Sequence, residues 1–461
     1  MSPKKTILVV VCLVFFVAIF TAQINKEKPD PKKGSSYMPV IEEPLDVVMA
    51  RDKAQKEEIM ERQMKLLNER YNLSKNVTTE VTMSKGKPLP VGPTARLRNG
   101  MTWDQLAAMS PDEIKEKSSF PYLPLPHPNH PVGGMIFTQA QIKLLPRLKR
   151  FDLDFDLPDH FLPEFPSPVY LTTHKEMGDV SQGKVITADN FYDLFNGILN
   201  PKQLEGLRLL VTQFPQQQFN NTSDRKTDNK EGMLGVACLD CHVNGNTSGA
   251  IHLVGDIRPQ EKRNRIETPS LRGVNIQRLF GSQRALKTVE DFTEFEQRAA
   301  YFDGDHLTAA KKGVNVLERG SQVQFMSEFQ EILDFPPAPK LDVFGKLDPA
   351  KATESELRGE ALFNGKAKCA SCHAPPYYTD NTMHDLAVER FYKTQMTNGM
   401  LIRAEGPIKT FVLRGIKDTP PYLHDGRLFT LEDTVEFFNL VLQLKLNGNE
   451  KKDIVAFMRQ L

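Results

Sequence analysis

Two pentads with the spacing C-x-x-C-H, Cys238–His242 and Cys369–His373, constrain this chain of 461 residues more than any other feature. In this spacing two thiols can form thioethers with the two vinyl groups of one haem, while the adjacent histidine ligates the iron. A zinc ribbon needs a second cysteine pair about 15–20 residues away, and these pairs lie more than a hundred residues apart. A thioredoxin-like pair would follow a strand in a βαβ pattern, which is lacking here. We therefore expect two covalent haems, held by Cys238, Cys241, His242, Cys369, Cys372 and His373.

The N-terminus carries an apolar run from Ile7 to Ala22, preceded by two lysines. Its 16 residues lie between the length of a signal-peptide core and that of a full membrane span. Phe20 occupies the position where a cleavage site would need a small residue, which favours an uncleaved anchor over a cleaved signal peptide for residues 1–22. Both alternatives export the rest of the chain. We expect it in a bacterial periplasm, anchored to the inner membrane.

Composition bounds the partners and the domain organisation. The net charge is +1, and no basic stripe with interleaved aromatics is present, which argues against nucleic acid as a partner. Prolines are dense between Pro121 and Pro168, which predicts a loop-rich segment. The expected units are a polar stalk over 23–100, a Pro-rich N-terminal extension over 101–184, a first cytochrome c-like haem domain over 185–350 and a second over 351–461.

Helical periodicity frames the second pentad. A helix-forming stretch precedes it, and Gly359 in this stretch would allow another helix to approach closely. At the C-terminus Ile454, Phe457, Met458 and Leu461 recur at helical spacing. A first helix, a pentad and a terminal helix make up the class-I cytochrome c fold. The predicted fold is therefore mainly α, with two class-I cytochrome c-like haem domains and a loop-rich N-terminal extension behind a membrane anchor.

An internal repeat follows each pentad. TPSLRG at 268–273 follows the first, and FVLRG at 411–415 follows the second. GSQR at 281–284 and HDGR at 424–427 come next, each before a helix-like stretch. Arginines beside both haems are candidates for binding haem propionates, since carboxylates need cationic donors, and an ordinary ion pair is the alternative. These arginines are Arg272, Arg284, Arg414 and Arg427.

The sequence TPSLRG beside the first pentad and LRGIKDTPPYLHDGRLFTLEDTVEFFN beside the second resemble the bacterial dihaem cytochrome c peroxidase and MauG superfamily. The resemblance covers about residues 185–461. It implies a peroxidatic first haem, an electron-relay second haem and often a calcium ion between them, here carried over to Thr419 and Pro421. It also implies hydrogen peroxide as the substrate and a small cytochrome or copper protein as the electron donor.

Two aromatic positions depart from the family pattern. Phe438 stands where the relay haem usually has a Met or Tyr as its sixth ligand, so either another side chain coordinates or this haem is five-coordinate. Phe280 stands where many members have a Trp between the haems, and the only Trp of the chain is Trp103. The candidates for the missing sixth ligand are Met383, Met396 and Met400.

On the distal side of the first haem, His252 is a candidate sixth ligand or distal base, and a loop histidine without such a role is the alternative. Glu294 or Glu296 takes the acid–base role by analogy of position. The leading hypothesis is peroxide reduction by an enzyme. The alternatives are a membrane-tethered electron-transfer cytochrome without peroxidase activity, and MauG-like oxidation of another substrate.

Overall fold

A computed structural model of the chain describes residues 50, 54–74, 77–128, 135–150, 156–213, 236–252, 265–281, 284–302, 319–394, 396–397, 400–401 and 406–461. Within these ranges the structure is mainly helical with little sheet, as predicted. The predicted anchor over 1–22 lies outside the described residues. Within the described ranges, no helix combines the length and the apolar character that crossing a bilayer would require.

Most helices begin at a residue whose side chain caps the first turn. Asn200, Thr353 and Asn447 each accept a hydrogen bond from the backbone three residues later, and a Gln or Glu at that later position bonds back. The α-helices of the described residues are α1 Lys56–Arg70, α2 Trp103–Ala108, α3 Pro111–Glu116, α4 Gln139–Leu144, α5 Phe191–Phe195, α6 Pro201–Val211, α7 Cys238–Cys241, α8 Val289–Phe302, α9 Gln324–Gln330, α10 Glu354–Asn364, α11 Leu431–Val441 and α12 Gly448–Met458.

The strands are short and pair two by two in antiparallel ladders. The pairs are β1–β2, β3–β6, β4–β5, β7–β10 and β8–β9. The strand bounds are β1 Val77–Thr82, β2 Pro88–Pro90, β3 Tyr170–Leu171, β4 Ile251–His252, β5 Ile266–Glu267, β6 Leu333–Asp334, β7 Met383–His384, β8 Met396–Thr397, β9 Met400–Leu401 and β10 Ile408–Lys409.

A helix before each pentad packs against a later helix at a glycine. A Cβ added at Gly206 of α6 would lie 1.8 Å from the carbonyl oxygen of Phe325 in α9. A Cβ added at Gly359 of α10 would lie 1.9 Å from that of Asp453 in α12. Only glycine permits backbones to approach so closely, because any side chain would overlap the facing carbonyl. The close approach predicted at Gly359 is confirmed, and Gly206 is its counterpart beside the first pentad.

The repeat after each pentad is also visible in the backbone. Gly273 and Gly415 both adopt φ of +73° and both begin a short 3₁₀ helix, Val274–Ile276 and Ile416–Asp418 respectively. A tight antiparallel bridge then joins Phe280 to Leu286 in the first copy and Tyr422 to Leu428 in the second. The sequence repeat therefore corresponds to a structural repeat.

Buried apolar side chains form two large clusters in the described residues. One draws its members from residues between 169 and 333, around the first pentad. The other combines residues 67–162 with residues 347–461, around the second pentad. Leu67, Tyr71 and Leu73 of the predicted stalk are buried in this second cluster, so that part of the stalk packs against the body. The predicted domain boundaries remain a prediction.

Hydrogen bonds to a buried carboxylate reinforce this packing. Asp433, fully buried at the start of α11, accepts hydrogen bonds from the Thr94 amide (2.9 Å), the Thr94 hydroxyl (2.6 Å) and the Tyr122 hydroxyl (3.0 Å). The Asp425 carboxylate accepts one from the Leu125 amide (2.8 Å). Because an unsatisfied buried carboxylate is costly, these bonds fix residues 94–125 onto the part of the chain that follows the second pentad.

Candidate haem sites

The two pentad histidines are oriented in the same way. Nδ1 of His242 lies 2.8 Å from the carbonyl oxygen of Pro269, and Nδ1 of His373 lies 2.9 Å from that of Tyr378. A hydrogen bond from Nδ1 to a carbonyl fixes the ring orientation and the tautomer, and it directs Nε2 towards a metal. Burial lowers the pKa of His242 to about 4 and also lowers that of His373, which keeps both imidazoles in the neutral form that coordinates iron.

The cysteines suit thioether attachment. All four pentad cysteines are free of disulfides. Burial raises the pKa of Cys369 to about 12 and raises that of Cys241 as well, so both thiols are in their neutral form at pH 7. Together with the histidine geometry, this donor set fits a covalently attached haem at each pentad.

The surroundings of the two pentads differ. Leu239 and Asp240, the middle residues of the first pentad, are 4% and 3% exposed. In the second pentad Ala370 is half-buried and Ser371 is exposed, with Tyr377 (41% exposed) close by in sequence. The second pentad therefore lies near the protein surface, whereas protein packs over the middle of the first.

The side chains of three of the four candidate propionate arginines bond to protein groups in the described structure, at Pro168, Leu461 and Asp425. Arg272 donates to the Pro168 carbonyl oxygen (2.7 Å) and lies 3.5 Å from Asp418. Arg414 donates to the Leu461 carbonyl oxygen (2.8 Å). Arg427 is fully buried, and its Nε donates to the carboxylate of Asp425. Arg284 is half-buried and has a left-handed backbone (φ 54°). Propionate binding by these side chains remains a prediction.

The register of the repeat differs from the expected pairing of Arg284 with Arg427. Arg284 follows Phe280 by four residues, whereas Arg427 follows Tyr422 by five, and each bridge closes after six. Gly426 is therefore the counterpart of Arg284, and it shares the left-handed conformation (φ 63°). An alignment that matches Arg284 to Arg427 because both are arginines misses this shift of one residue.

The candidates for proton transfer are on two elements. His252 ends β4, opposite Ile266, and the position of its side chain lies outside the described part of the chain. Glu294 and Glu296 both lie in α8; Glu294 is buried and Glu296 is half-buried. Burial, followed by the charges of Asp240, Cys238 and Glu296, raises the pKa of Cys241.

The candidate sixth ligands of the second haem are in the short strands after its pentad. Met383 lies in β7, half-buried and opposite Lys409 of β10. Met396 and Met400 lie in the β8–β9 pair, and their side chains are outside the described structure. Phe438, at the usual ligand position, packs against Phe437 with ring centroids 5.2 Å apart.

A buried lysine lies beside Phe280, at the position expected between the haems. Lys409 is 3% exposed, donates to the side-chain oxygen of Gln277 (3.2 Å), and has its Nζ 5.4 Å from the centroid of Phe280 and 5.5 Å from that of Phe411. Burial and the positive charge of Arg284 lower the pKa of Lys409 to about 8. Sequence analysis did not identify this residue, because a single lysine in an apolar stretch has no distinctive pattern.

The predicted calcium ligands, Thr419 and Pro421, lie in the second copy of the repeat. The Thr419 hydroxyl donates to the Ile416 carbonyl oxygen (3.3 Å). A Cβ added at Gly426 would lie 2.8 Å from the ring of Pro421 and 3.6 Å from Cβ of Glu267. Burial raises the pKa of Glu267 well above its ordinary value. Within the described ranges, three or more His, Cys, Asp or Glu side chains nowhere form a group that could hold a metal ion.

Comparisons with known proteins give matches to part of the chain. It is 32% identical over 173 residues to cytochrome-c peroxidase IdrP2 of Pseudomonas sp. (strain SCT), covering 30% of this chain and 47% of the relative. It is 29% identical over 150 residues to methylamine utilization protein MauG of Methylorubrum extorquens, covering 30% and 42%. A MauG-like protein associated with microbial copper homeostasis matches in structure at 18% identity and a TM-score of 0.37, over 54% of this chain and 92% of that one.

The chain spans about half the length of the curated relatives that it matches. No family model matches it. The curated matches nevertheless confirm the resemblance inferred from the pentads and the motifs that follow them, since cytochrome c peroxidases and MauG are the proteins to which that resemblance pointed.

Proposed function

The chain is a relative of the dihaem cytochrome c peroxidases and MauG, and on this premise we propose that it is a haem peroxidase. It binds two covalent haems, one at each pentad, and reduces hydrogen peroxide with electrons from a small cytochrome or copper protein. The observation that carries the proposal is the matched orientation of His242 and His373, each held at Nδ1 by a backbone carbonyl.

The first pentad is the proposed site of peroxide reduction. When bound, the haem supplies the iron at which the O–O bond breaks and part of the electrons for the reaction. His242 holds the proximal side. Glu296, half-buried in α8, is the proposed residue that holds a proton and passes it to the leaving oxygen. Glu294 and His252 are the other proposed proton carriers, because they lie in α8 and in the strand after the pentad.

The second pentad is the proposed site of electron input. Ser371 and Tyr377 are exposed there, so a small redox protein can approach closely. Met383, whose half-buried side chain lies in β7, is the first candidate for the sixth ligand. A thioether ligand would favour an electron-transfer role for this haem over a catalytic one.

The calcium ion is proposed to bind at Thr419 and Pro421 through oxygen atoms, near the half-buried Glu267. A hard cation prefers such ligands, and a positive charge would ionise a carboxyl whose pKa burial has raised. We also place the protein in the periplasm, held by residues 1–22 at the inner membrane, with the haem domains bounded as the sequence predicts.

The test mixes the holoprotein with hydrogen peroxide in a stopped-flow instrument and follows oxidation of a reduced small cytochrome. We expect Glu296→Gln to lower kcat/KM by about 100-fold, the usual size of an acid–base contribution. Glu328→Gln is the matched control, because Glu328 lies on α9 and pairs with Lys202 of α6. A spectrum that peroxide leaves unchanged, with the donor still reduced, would overturn the proposed function.

The relatives also include MauG, so oxidation of a different substrate is the second candidate. In that case peroxide would change the optical spectrum within the stopped-flow dead time or soon after, but the small donor cytochrome would be oxidised slowly. The same mixing experiment therefore separates the two activities.

A further inference from the structure

The first pentad contains a buried acid, Asp240, whose negative charge is compensated by an arginine of the N-terminal extension. Asp240 is 3% exposed, and its carboxylate accepts a hydrogen bond from the Ala237 amide (2.7 Å). Its two oxygens also pair with the two terminal nitrogens of Arg147 at 2.6 and 2.7 Å. This forked geometry is the strongest form of an arginine–carboxylate pair.

Arg147 comes from the N-terminal extension. It lies in the 3₁₀ helix Pro146–Arg150, directly after α4. We call residues 139–150 the covering segment. Its Gln141 is fully buried, donates to the carbonyl oxygen of Asp240 and accepts from the Ser248 hydroxyl (3.0 Å). The covering segment thus contacts both the backbone and the side chain of one pentad residue.

Among the described residues, no such pair lies at the equivalent residue of the second pentad. Ser371 occupies the position equivalent to Asp240, is exposed, and donates its hydroxyl to the Lys368 carbonyl oxygen (2.6 Å). The buried charge and its partner therefore belong to one pentad alone, although the histidine geometry is common to both. A difference in charge beside otherwise similar sites is a means of separating two reduction potentials.

Within the first pentad, Asp240 directly precedes Cys241, whose sulfur is a proposed attachment point. The Asp240 carboxylate also accepts from the Ala237 amide, directly before Cys238. A haem attached at the Cys241 sulfur would lie in the field of the Asp240 charge. In a site shielded from water, one uncompensated charge nearby has a larger effect than at the surface.

We propose that Arg147 is a positioning residue that sets the reduction potential of the first haem by compensating the buried charge of Asp240. The inference rests on the proposed attachment of a haem at Cys238 and Cys241. An uncompensated negative charge favours the ferric state, which carries one more positive charge than the ferrous state, and so lowers the potential. By pairing with Asp240, Arg147 keeps the potential of this haem higher.

The test is a spectroelectrochemical titration of the holoprotein at one fixed pH. We expect Arg147→Gln to lower the midpoint potential of one of the two haem waves and to leave the other in place. Asp240→Asn should raise that same wave, and the double variant should return it close to the wild-type value. Arg147→Lys retains the charge and should shift it less than Arg147→Gln. The wave of the first haem is identified as the one that is lost in the variant with Cys238 and Cys241 both changed to Ala.

Arg208→Gln serves as the control, because Arg208 is an exposed arginine that pairs with Glu205 on α6. Unchanged potentials in Arg147→Gln, with both haems attached, would overturn the inference, and so would shifts of the same sign in Arg147→Gln and Asp240→Asn. If Asp240→Asn does not fold, the inference is still tested by comparing the midpoint potentials of Arg147→Gln and Arg147→Lys. A wild-type protein without two covalent haems would instead contradict the proposed function.

Discussion

The two pentads share the means of holding a haem and differ in what lies around them. In both, a backbone carbonyl orients the histidine, a left-handed glycine begins a 3₁₀ helix downstream, and a preceding helix packs at a glycine. In the first, the middle residues are buried, and the covering segment pairs with Asp240. In the second, Ser371 is exposed.

This difference indicates where two copies of one unit can acquire separate roles. The shared features fix the proximal ligand, which both haems need for any function. The features that differ control access and local charge, which decide whether a haem exchanges electrons with a partner or is isolated from it. The N-terminal residues contribute to this difference. Residues 67–162 pack on residues 347–461, around the second pentad, and Arg147 pairs with Asp240 of the first pentad.

Removal of one haem at a time is the change with the largest expected effect. We expect the variant with Cys238 and Cys241 changed to Ala to retain one covalent haem of two and to lose at least about 100-fold in peroxide turnover, because the proposed reactive iron is lost. The matched variant with Cys369 and Cys372 changed to Ala should also retain one haem. It should still react once with peroxide when chemically reduced but should no longer accept electrons from the donor.

Haem content is measured as the pyridine haemochrome and turnover by stopped-flow. Rapid single-turnover reaction in the first variant, with none in the second, would reverse the proposed division of labour. Covalent haem in a chain with all four cysteines replaced would contradict the attachment sites themselves.

Substitution of the glycines at the two helix crossings should have the next largest effect, on the free energy of unfolding. Gly206→Ala and Gly359→Ala each place a Cβ within 2 Å of a facing carbonyl oxygen, so the helices must separate. We expect each to lower the free energy of unfolding by about 1–3 kcal/mol, the usual cost of overpacking. Denaturant unfolding of the holoprotein measures this, and Gly448→Ala, where nothing lies within 4 Å, is the control. A clearly smaller loss at Gly206 would show that the first crossing is the looser one.

Sequence reasoning was most successful where a short local pattern determines the chemistry. The pentads, the LRG repeat and Gly359 each predicted a structural feature that the described residues contain, because ligation and close packing require specific residues at fixed spacing. The helices with a capping box were also accessible, since Asn200 or Thr353 with a Gln or Glu three residues later is a local signal.

It was least successful for contacts between distant parts of the chain. Arg147 and Asp240 are 93 residues apart, and nothing local marks either as a partner. Lys409 acquires its buried surroundings from Phe280 and Gln277, far away in sequence. The shift of Arg284 by one residue is visible only from the backbone pairing of the two copies, Phe280 with Leu286 and Tyr422 with Leu428. The residue types that the copies share do not show it.

The ion pairs across the two helix crossings should have the smallest effect, and they differ as the pentads do. Asp453 of α12, 7% exposed, accepts from Arg358 of α10 at 2.8 and 3.0 Å. Lys202 and Glu328 join α6 to α9 at 3.5 Å, and the Glu328 carboxylate is more exposed than that of Asp453. We expect Asp453→Asn to cost about 1 kcal/mol at pH 7, and Glu328→Gln less than about 0.5 kcal/mol.

The pH dependence makes this last comparison specific. The hydrogen bonds from Arg358 lower the pKa of Asp453 below its ordinary 3.8, so this carboxylate stabilises the fold above that pH and loses its contribution as the pH falls through the lowered pKa. The gap in unfolding free energy between wild type and Asp453→Asn should therefore be full at pH 7 and shrink below about pH 4. A gap that stays constant into acid would mean that the asparagine disturbs packing between α10 and α12, and that the charge of Asp453 contributes nothing to holding the second haem segment together.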